Sequence, residues 1–416
     1  MLASLASGIS RIRNYSTSAD CAATLTCMQQ LGVTVEREKN ELLIHGVGVD
    51  GLRAPAAALD CGNSGTTMRL LAGILSGQNF TSSLTGDHSL CSRPMQRIIE
   101  PLKMMGAGIS SNDGCAPLSI QGQKPLRAID YELLVASAQV KSCILLAGLS
   151  AQGRTEVIEN EITRDHTERM LHWFGVPIET GPAEREGINA RYVAVSAPAR
   201  LPAREVSIPG DISSAAYFIA AAVLLPGSSL EVRNVGVNPT RTLFLEQLRA
   251  LGLDVGITNS HEECNEPIGL VRVRGVDSPR PPKRDLKGPF VLDGLRIPQL
   301  IDELPLLAVV GSQIEGGIEI RDAAELRVKE SDRIATTAAN LRAMGAEVEE
   351  FDDGLRVVGR TRLRGAKIDP CGDHRIAMAF TVAGLLAEGE TEIAGSDCVA
   401  VSFPGFFELL DCVAER

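Results

Sequence analysis

Arginine, lysine and carboxylate side chains are concentrated in a few short segments of this 416-residue chain. LRVKESDRI brings Lys329, Glu330 and Arg333 within five residues, and GDHRIAMAF sets Arg375 directly before an apolar run. A charge run is commonly only a solvated helix face, but an arginine among apolar residues is costly unless it is paired or bound to a ligand. Arginine also grips phosphate and carboxylate groups with two parallel hydrogen bonds. These segments therefore predict a site for an anionic ligand.

Two further polar segments open apolar helices. GNSGT precedes TMRLLAGIL, and Gly65 in it would let the backbone approach a ligand closely. Free N–H groups at a helix start attract anions, although Asn63 or Ser64 could equally be a cap on a core helix. Asp302 heads LIDELPLLAVV, where it is either an N-cap or a general base near a substrate hydroxyl.

Nucleophile and metal chemistry is not indicated. Arg93 lies in SLCSRPMQRI, with Cys91 two residues before it. We interpret Cys91 as a packed or exposed thiol, because apart from His88 no nearby histidine in the sequence could act as the base that a nucleophilic cysteine needs. The sequence contains neither the glycine-rich nucleotide loops nor the serine-hydrolase and zinc-helix motifs.

A repeat organises the elements that must position these residues. Six helices rich in Ala, Leu and Gly each run to a glycine, at intervals of roughly 70 to 90 residues (Gly8, Gly77, Gly153, Gly227, Gly316, Gly389). We interpret these glycines as helix stops in the left-handed conformation. Five amphipathic helices alternate with them and end in QQLGVTV, KMMGAGI, HWFGVPI, RALGLDV and RAMGAEV. A hairpin is predicted after the last of these, at Asp352-Asp353-Gly354.

Each repeat therefore reads as strand, helix, strand, helix, strand, strand. Three repeats would form one domain, residues 1–208, and three the other, residues 209–416, with the boundary in SIPGD. Helices two to six follow a polar loop, whereas the first begins at Met1. An atypical capping repeat would explain this, but we favour a chain that lacks its beginning.

Composition limits the partners. The net charge of −11 argues against nucleic acid. The apolar helices are too short to cross a membrane, and no secretory signal is visible. Ten scattered cysteines are typical of reduced thiols, so we expect a cytoplasmic protein. We also expect it to be a monomer.

These motifs together resemble the EPSP synthase family. GNSGTTMRLL, SRPMQRI, SAQVKS, IDELP, LRVKESDR, DHRIAMAF and SFPGFFELL occur in the family's order over essentially the whole chain. The resemblance implies the enolpyruvyl transferase fold, a two-domain inside-out α/β barrel with three βαβαββ repeats in each domain. It implies transfer of the enolpyruvyl group of phosphoenolpyruvate to the 5-hydroxyl of shikimate 3-phosphate, with phosphate released and with no cofactor or metal.

The resemblance also assigns residues. Shikimate 3-phosphate would be held mainly by the first domain, through Ser137 and Gln139, with Thr163 as a weaker candidate; Ala138 stands where some members have a second serine. The groups expected to hold phosphoenolpyruvate are Gly65, Arg93, Arg333 and Arg375, and Gln139 would touch both substrates. In the second domain Asp302 would take the hydroxyl proton, Glu330 would exchange a proton at the methylene carbon, and Lys329 would bridge substrate and carboxylate.

Departures from the family keep alternatives open. The usual PGDKSxSHR-like opening loop is not found in this sequence, and Val401 stands where some members have lysine. We therefore expect weak or no activity from the polypeptide as written. The alternatives are UDP-N-acetylglucosamine enolpyruvyl transferase, whose reactive cysteine has a different spacing from its Arg-Pro pair than Cys91 has, and a catalytically dead substrate-binding fragment.

Overall fold

The computed structural model describes residues 1–185, 188–275 and 288–414. The chain forms two compact units. The first unit is Met1–Ile208 with Glu263–Glu266, and the second is Pro209–Glu262 with Pro267–Arg416.

Apolar helices made of small residues lie at the core of the first unit, and amphipathic helices alternate with them along the chain. Its helices are α1 (Leu2–Leu5), α2 (Ala19–Gln30), α3 (Gly65–Ser76), α4 (His88–Ser92), α5 (Gln96–Met104), α6 (Ala138–Gly148) and α7 (His166–Trp173). Its strands are β1 (Ser7–Arg13), β2 (Thr34–Glu38), β3 (Glu41–Val47), β4 (Leu59–Asp60), β5 (Thr81–Thr85), β6 (Gly108–Asn112), β7 (Cys115–Gln121), β8 (Leu126–Arg127), β9 (Asp130–Glu132), β10 (Ala151–Gln152), β11 (Arg154–Glu159), β12 (Ile178–Arg185), β13 (Ile188–Ser196) and β14 (Glu205–Ser207).

One pairing pattern recurs in the three four-stranded sheets of this unit. Two parallel strands lie side by side, and an antiparallel hairpin continues the sheet, as in the order β4-β5-β7-β6. The same pattern gives β9-β11-β13-β12 and β14-β1-β3-β2. In the last of these, the parallel partner of β1 comes from the far end of the unit.

The second unit repeats the arrangement. Its helices are α8 (Ile212–Leu224), α9 (Leu243–Ala250), α10 (Ile297–Leu300), α11 (Leu304–Gln313), α12 (Arg333–Ala343), α13 (His374–Leu386) and α14 (Phe406–Val413). Its strands are β15 (Ser229–Gly236), β16 (Asp254–Glu263), β17 (Glu266–Arg274), β18 (Phe290–Leu292), β19 (Ile318–Ile320), β20 (Val348–Phe351), β21 (Gly354–Val357), β22 (Lys367–Ile368) and β23 (Glu392–Ile393). Helices α8, α11 and α13 pack on one another and are buried almost throughout. No sheet closes into a barrel within the three described ranges.

The alternating amphipathic helices end as the sequence predicts. Their glycines all have the positive φ that favours glycine over other residues (Gly32, Gly106, Gly175, Gly252, Gly345). The predicted hairpin is also confirmed, because β20 and β21 pair antiparallel with Phe351 opposite Gly354.

The interpretation of the six glycines after the apolar helices as left-handed helix stops was wrong. Gly77 alone of the six directly follows its helix, and its φ is −90°. Gly8 lies in β1 and Gly153 lies between β10 and β11, while Gly227, Gly316 and Gly389 lie in the turns from their helices to the next strand; all five have positive φ. The left-handed residue is needed where the chain reverses toward the sheet, not where the helical hydrogen bonds end.

Close packing of the core helices explains one internal glycine. A Cβ on Gly73 of α3 would lie 2.2 Å from the carbonyl oxygen of Cys143 on α6. Only a hydrogen lets these two backbones approach so closely.

Among the described residues, no helix has both the length and the apolar character that a membrane crossing requires.

Candidate functional site

The start of α3 carries the first group of predicted site residues. Ser64 caps the helix, because its Oγ accepts a hydrogen bond from Thr67 N at 3.2 Å. Gly65 is the first helical residue, and a Cβ there would lie 2.9 Å from Arg69 Nη1 and 3.5 Å from Arg93 Nη1. The backbone at Gly65 therefore sits beside two guanidinium groups, as an anion site requires.

Arg93 is held in place by neutral groups around it. Only 7% of its surface is exposed. Its Nη2 donates to Asn63 Oδ1 at 2.8 Å and to Ser89 Oγ at 3.1 Å, and its Nη1 donates to the Asn63 carbonyl at 3.3 Å. Asn63 in turn donates to Asp87 Oδ2 at 2.7 Å. The orientation of Arg93 thus depends on Asn63, a residue that the sequence reading treated only as a cap.

Arg69 is a charged residue within the apolar helix α3, and hydrogen bonds to polar groups hold its guanidinium. Its Nη1 donates to Gln139 Oε1 at 2.6 Å, and its Nη2 donates to the Pro94 carbonyl at 3.3 Å. Gln139 Nε2 donates to Thr66 Oγ1 at 2.8 Å. These bonds join the first turns of α3 and α6, so Gly65 and Gln139 belong to one cluster.

The start of α6 carries the other predicted residues of the first unit. Ser137 is its N-cap, with its Oγ accepting a hydrogen bond from Val140 N at 3.4 Å, and Ala138 is the first helical residue. Lys141, one turn later, is fully buried, and its Nζ lies 2.9 Å from Glu159 Oε2 and 2.6 Å from Glu168 Oε1. Thr163 is also buried, and its Oγ1 donates to Glu159 Oε2 at 2.8 Å.

Asp302 lies between two arginines in the second unit. Its Oδ1 is 3.6 Å from Arg333 Nη1, and its Oδ2 is 3.3 Å from Arg375 Nη2. Burial by itself would lower the pKa of Arg375, but Asp302 and other acidic neighbours raise it well above the ordinary value. The two guanidinium groups therefore stay charged beside the carboxylate.

Arg333 is the most enclosed cation of this cluster, with 1% of its side chain exposed. Its Nε donates to Asp373 Oδ2 at 2.7 Å, and its Nη2 donates to Glu330 Oε2 at 2.5 Å. Asp373 is also the N-cap of α13, where its Oδ1 accepts a hydrogen bond from Arg375 N at 2.9 Å. Asp373 therefore sets the positions of both arginines.

Lys329 lies beside this group without joining its closest contacts. Its Nζ donates to Glu325 Oε1 at 3.4 Å. Burial lowers the pKa of Lys329, even though Glu325 and Asp302 oppose the effect. A lysine that loses its proton more easily than usual is suited to proton exchange.

The start of α8 adds residues that sequence reasoning missed. Ser213 donates to the buried carboxylate of Glu303, and Arg241 donates to Ser213. Arg241 Nη2 also lies 3.4 Å from Asp211 Oδ1, at the cap of α8. A carboxylate placed before each apolar helix (Asp211, Glu303, Asp373) was the available signal for this network.

The predicted residues thus fall into two groups, one in each unit. Gly65, Ser137, Ala138, Gln139 and Thr163 lie at or just before the starts of α3, α6 and α7 in the first unit, and Arg93 directly follows α4. Asp302, Lys329, Glu330, Arg333 and Arg375 lie at the starts of α11, α12 and α13 in the second.

Comparison with known proteins identifies the family. Residues 1–410 match the family model described as EPSP synthase (3-phosphoshikimate 1-carboxyvinyltransferase). The chain is 51% identical over 422 residues to the 3-phosphoshikimate 1-carboxyvinyltransferase of Koribacter versatilis, covering 100% of this chain and 93% of the relative. It belongs to the EPSP synthase family. The enzyme of the same description from Solibacter usitatus is 48% identical over 416 residues, with the same coverage.

Solved structures agree with this family membership. An EPSP synthase from Acinetobacter baumannii superposes with a TM-score of 0.83 at 41% identity, covering 100% of this chain and 92% of that one. The enolpyruvyl transferase NikO from Streptomyces tendae, at 18% identity and a TM-score of 0.76, shares the fold. The predicted enolpyruvyl transferase fold is therefore confirmed, and the UDP-N-acetylglucosamine alternative is not favoured.

Proposed function

We propose that this EPSP synthase family member transfers the enolpyruvyl group of phosphoenolpyruvate to the 5-hydroxyl of shikimate 3-phosphate. The observation that carries the proposal is Asp302 held between Arg333 and Arg375. A carboxylate that can take a hydroxyl proton thus lies beside two cations that can hold an anionic co-substrate. Enolpyruvyl transfer between two anions needs this combination.

The first unit supplies neutral hydrogen-bonding groups and cations for the substrates. Ser137, Gln139 and Thr163 are assigned to shikimate 3-phosphate, and Gly65 and Arg93 to phosphoenolpyruvate. The hydrogen bonds from Arg69 to Gln139 and from Arg93 to Asn63 support these assignments, because they fix both side chains before a ligand arrives. Ala138 would contribute its backbone N–H at the start of α6.

The second unit supplies the acid and base groups. Asp302 takes the proton of the 5-hydroxyl while the oxygen of that hydroxyl bonds to C2 of phosphoenolpyruvate. The methylene carbon gains a proton through Glu330 and Lys329. Elimination then returns a proton from that carbon to Glu330 and Lys329 and breaks the bond between C2 and the phosphate oxygen, and the phosphate leaves with the proton that Asp302 had taken up. Arg333 and Arg375 balance the charge on the carboxylate and the leaving phosphate.

The oligomeric state and the cellular compartment are also proposals. Its scattered cysteines favour the cytoplasm, and its net charge of −11 argues against a nucleic-acid partner. We also expect the protein to act as a monomer. Light scattering on the purified protein at several concentrations measures the mass; a dimer at all concentrations would contradict the monomeric state.

The experiment is a turnover assay with the purified chain. Whatever the rate, turnover of phosphoenolpyruvate and shikimate 3-phosphate should release one phosphate for each molecule of a product that is heavier than shikimate 3-phosphate by one enolpyruvyl group in mass spectra. Replacing shikimate 3-phosphate with UDP-N-acetylglucosamine should give neither signal. Calorimetry with shikimate 3-phosphate separates failure modes: binding without turnover identifies a dead binding protein, and no binding refutes the assignment.

A further inference from the structure

The interior of the first unit contains an ionic cluster that the proposed chemistry does not use. Lys141 on α6, Glu159 at the end of β11 and Glu168 on α7 are all at least nine-tenths buried. Lys141 Nζ is 2.9 Å from Glu159 Oε2 and 2.6 Å from Glu168 Oε1. Two carboxylates thus share a single ammonium group in the interior.

One oxygen of this cluster joins two segments of the candidate site. Glu159 Oε2 accepts hydrogen bonds from Lys141 Nζ, from Thr163 Oγ1 at 2.8 Å and from Thr163 N at 3.3 Å. Lys141 N donates to the carbonyl of Ser137 at 3.1 Å. Lys141 therefore lies one helical turn after Ser137, whose hydroxyl is assigned to the substrate. Glu159 therefore sets the distance between the Ser137 turn and the Thr163 segment.

The charge in the cluster does not balance if both carboxylates are ionised. A net negative charge inside the protein is strongly unfavourable, and a buried carboxyl group commonly takes up a proton instead. Burial, which Lys141 only partly opposes, raises the pKa of Glu168. The charged groups that face Glu168 are Lys141 from α6 and Glu159 from β11, while Arg169 beside it pairs with Asp165 at 2.8 Å.

We propose that Lys141, Glu159 and Glu168 are positioning residues that fix Ser137 and Thr163 relative to one another, with Glu168 carrying a proton. In this arrangement the charges of Lys141 and Glu159 cancel. Protonated Glu168 completes the packing without adding charge. The inference rests on the proposed function only where it assigns Ser137 and Thr163 to shikimate 3-phosphate.

The protonation state is tested by thermal unfolding of Glu168→Gln, which has the shape of the protonated acid. A carboxyl group whose folded pKa is raised loses stability as pH rises above its unfolded value. We therefore expect the Tm of Glu168→Gln to exceed that of the parent by about 2–4 °C at pH 7.5 and to approach it near pH 4.5. A variant less stable than the parent at pH 7.5 would show that Glu168 is ionised and would overturn this part.

The positioning role is tested by steady-state kinetics of Glu159→Gln. We expect the KM for shikimate 3-phosphate to rise at least about tenfold, while the KM for phosphoenolpyruvate changes less than about twofold. Glu159→Asp should recover part of the loss. The control is Glu156→Gln on the same strand, which pairs with Arg154 at the surface and should match the parent.

Each part can fail separately. Equal changes in both KM values, or none, would contradict positioning. If the parent protein does not turn over shikimate 3-phosphate, the proposed function fails, but the unfolding comparison still reports on Glu168. Should Glu159→Gln not fold, Glu159→Asp keeps the charge but shortens the side chain, and it should still raise the KM for shikimate 3-phosphate; an unchanged value would contradict the role.

Discussion

Asp302 Oδ2 lies 3.3 Å from Arg375 Nη2, and Arg333 Nη1 lies 3.6 Å from the other oxygen of the same carboxylate. The proposed base is therefore in contact with the proposed anion-binding arginines. An arriving anionic substrate would compete with Asp302 for these guanidinium groups. Loosening of the carboxylate by substrate would make it available for the hydroxyl proton only when phosphoenolpyruvate is bound.

Asp302→Asn should lose the base while keeping the size of the side chain. We expect kcat to fall by about 10²–10⁴-fold, with smaller changes in KM for either substrate. Phosphate release measures this, and circular dichroism checks that the fold survives. Asp397→Asn, at an exposed position of the same unit, is the control. Activity within about threefold of the parent would show that Asp302 is not the base.

Gly65→Ala should disturb a guanidinium rather than the fold. The new Cβ would lie 2.9 Å from Arg69 Nη1, a flexible side-chain end that can move and so break its hydrogen bond to Gln139. We expect the KM for both substrates to rise about three- to tenfold, because Gln139 would touch both, with unchanged Tm. Gly256→Ala, where no atom lies within 4 Å of the new Cβ, is the matched control. Identical kinetics in the two variants would contradict a ligand contact at Gly65.

Asn63→Ala should release Arg93. The amide links Arg93 Nη2 to Asp87 Oδ2 through bonds of 2.8 and 2.7 Å. Losing a hydrogen bond to a charged group costs about 1.5–3 kcal/mol, so we expect the KM for phosphoenolpyruvate to rise at least about tenfold. Asn112→Ala on the exposed edge of β6 serves as control. A rise confined to shikimate 3-phosphate would instead assign Arg93 to the other substrate.

His374 should make the protein less stable in mild acid. Burial, reinforced by the positive charge of Arg375, lowers the pKa of His374 to about 4. Its folded pKa is below the unfolded value of 6.5, so its stabilising effect is complete above pH 6.5 and is lost as pH falls toward 4. Urea unfolding at pH 7, 5.5 and 4.5 should show a parent that loses roughly 2–3 kcal/mol more than His374→Gln over this interval. His261→Gln, at an exposed position, should follow the parent; a parent and His374→Gln with parallel curves would contradict the prediction.

Short-range features of the fold could be read from the sequence. The five amphipathic helices ending in glycine, the hairpin at Gly354 and the cap Ser64 all depend on residues within a few positions of one another. The site motifs were found for the same reason, because LRVKESDRI and GDHRIAMAF each place their charges side by side.

Long-range pairs could not be predicted in this way. Arg69 contacts Gln139 across 70 positions, and Arg333 contacts Asp373 across 40. Which carboxylate meets which arginine depends on how the helix starts are arranged within each unit, and sequence spacing carries no information on that. The role of Thr163 shows the same limit, since its bond to Glu159 appears only once β11 and the start of α7 are placed.

The parallel pairing of β14 with β1 has a consequence for synthesis of the protein. Residues 11–13 of β1 pair with residues 205–207 of β14, so the sheet joins two strands that lie almost two hundred positions apart in the sequence. On a ribosome, the first strand must wait until the chain has been extended past residue 207 and out of the exit tunnel before its edge is covered. During that interval the uncovered edge is open to mispairing, and slowing translation just beyond this point should raise the yield of native protein.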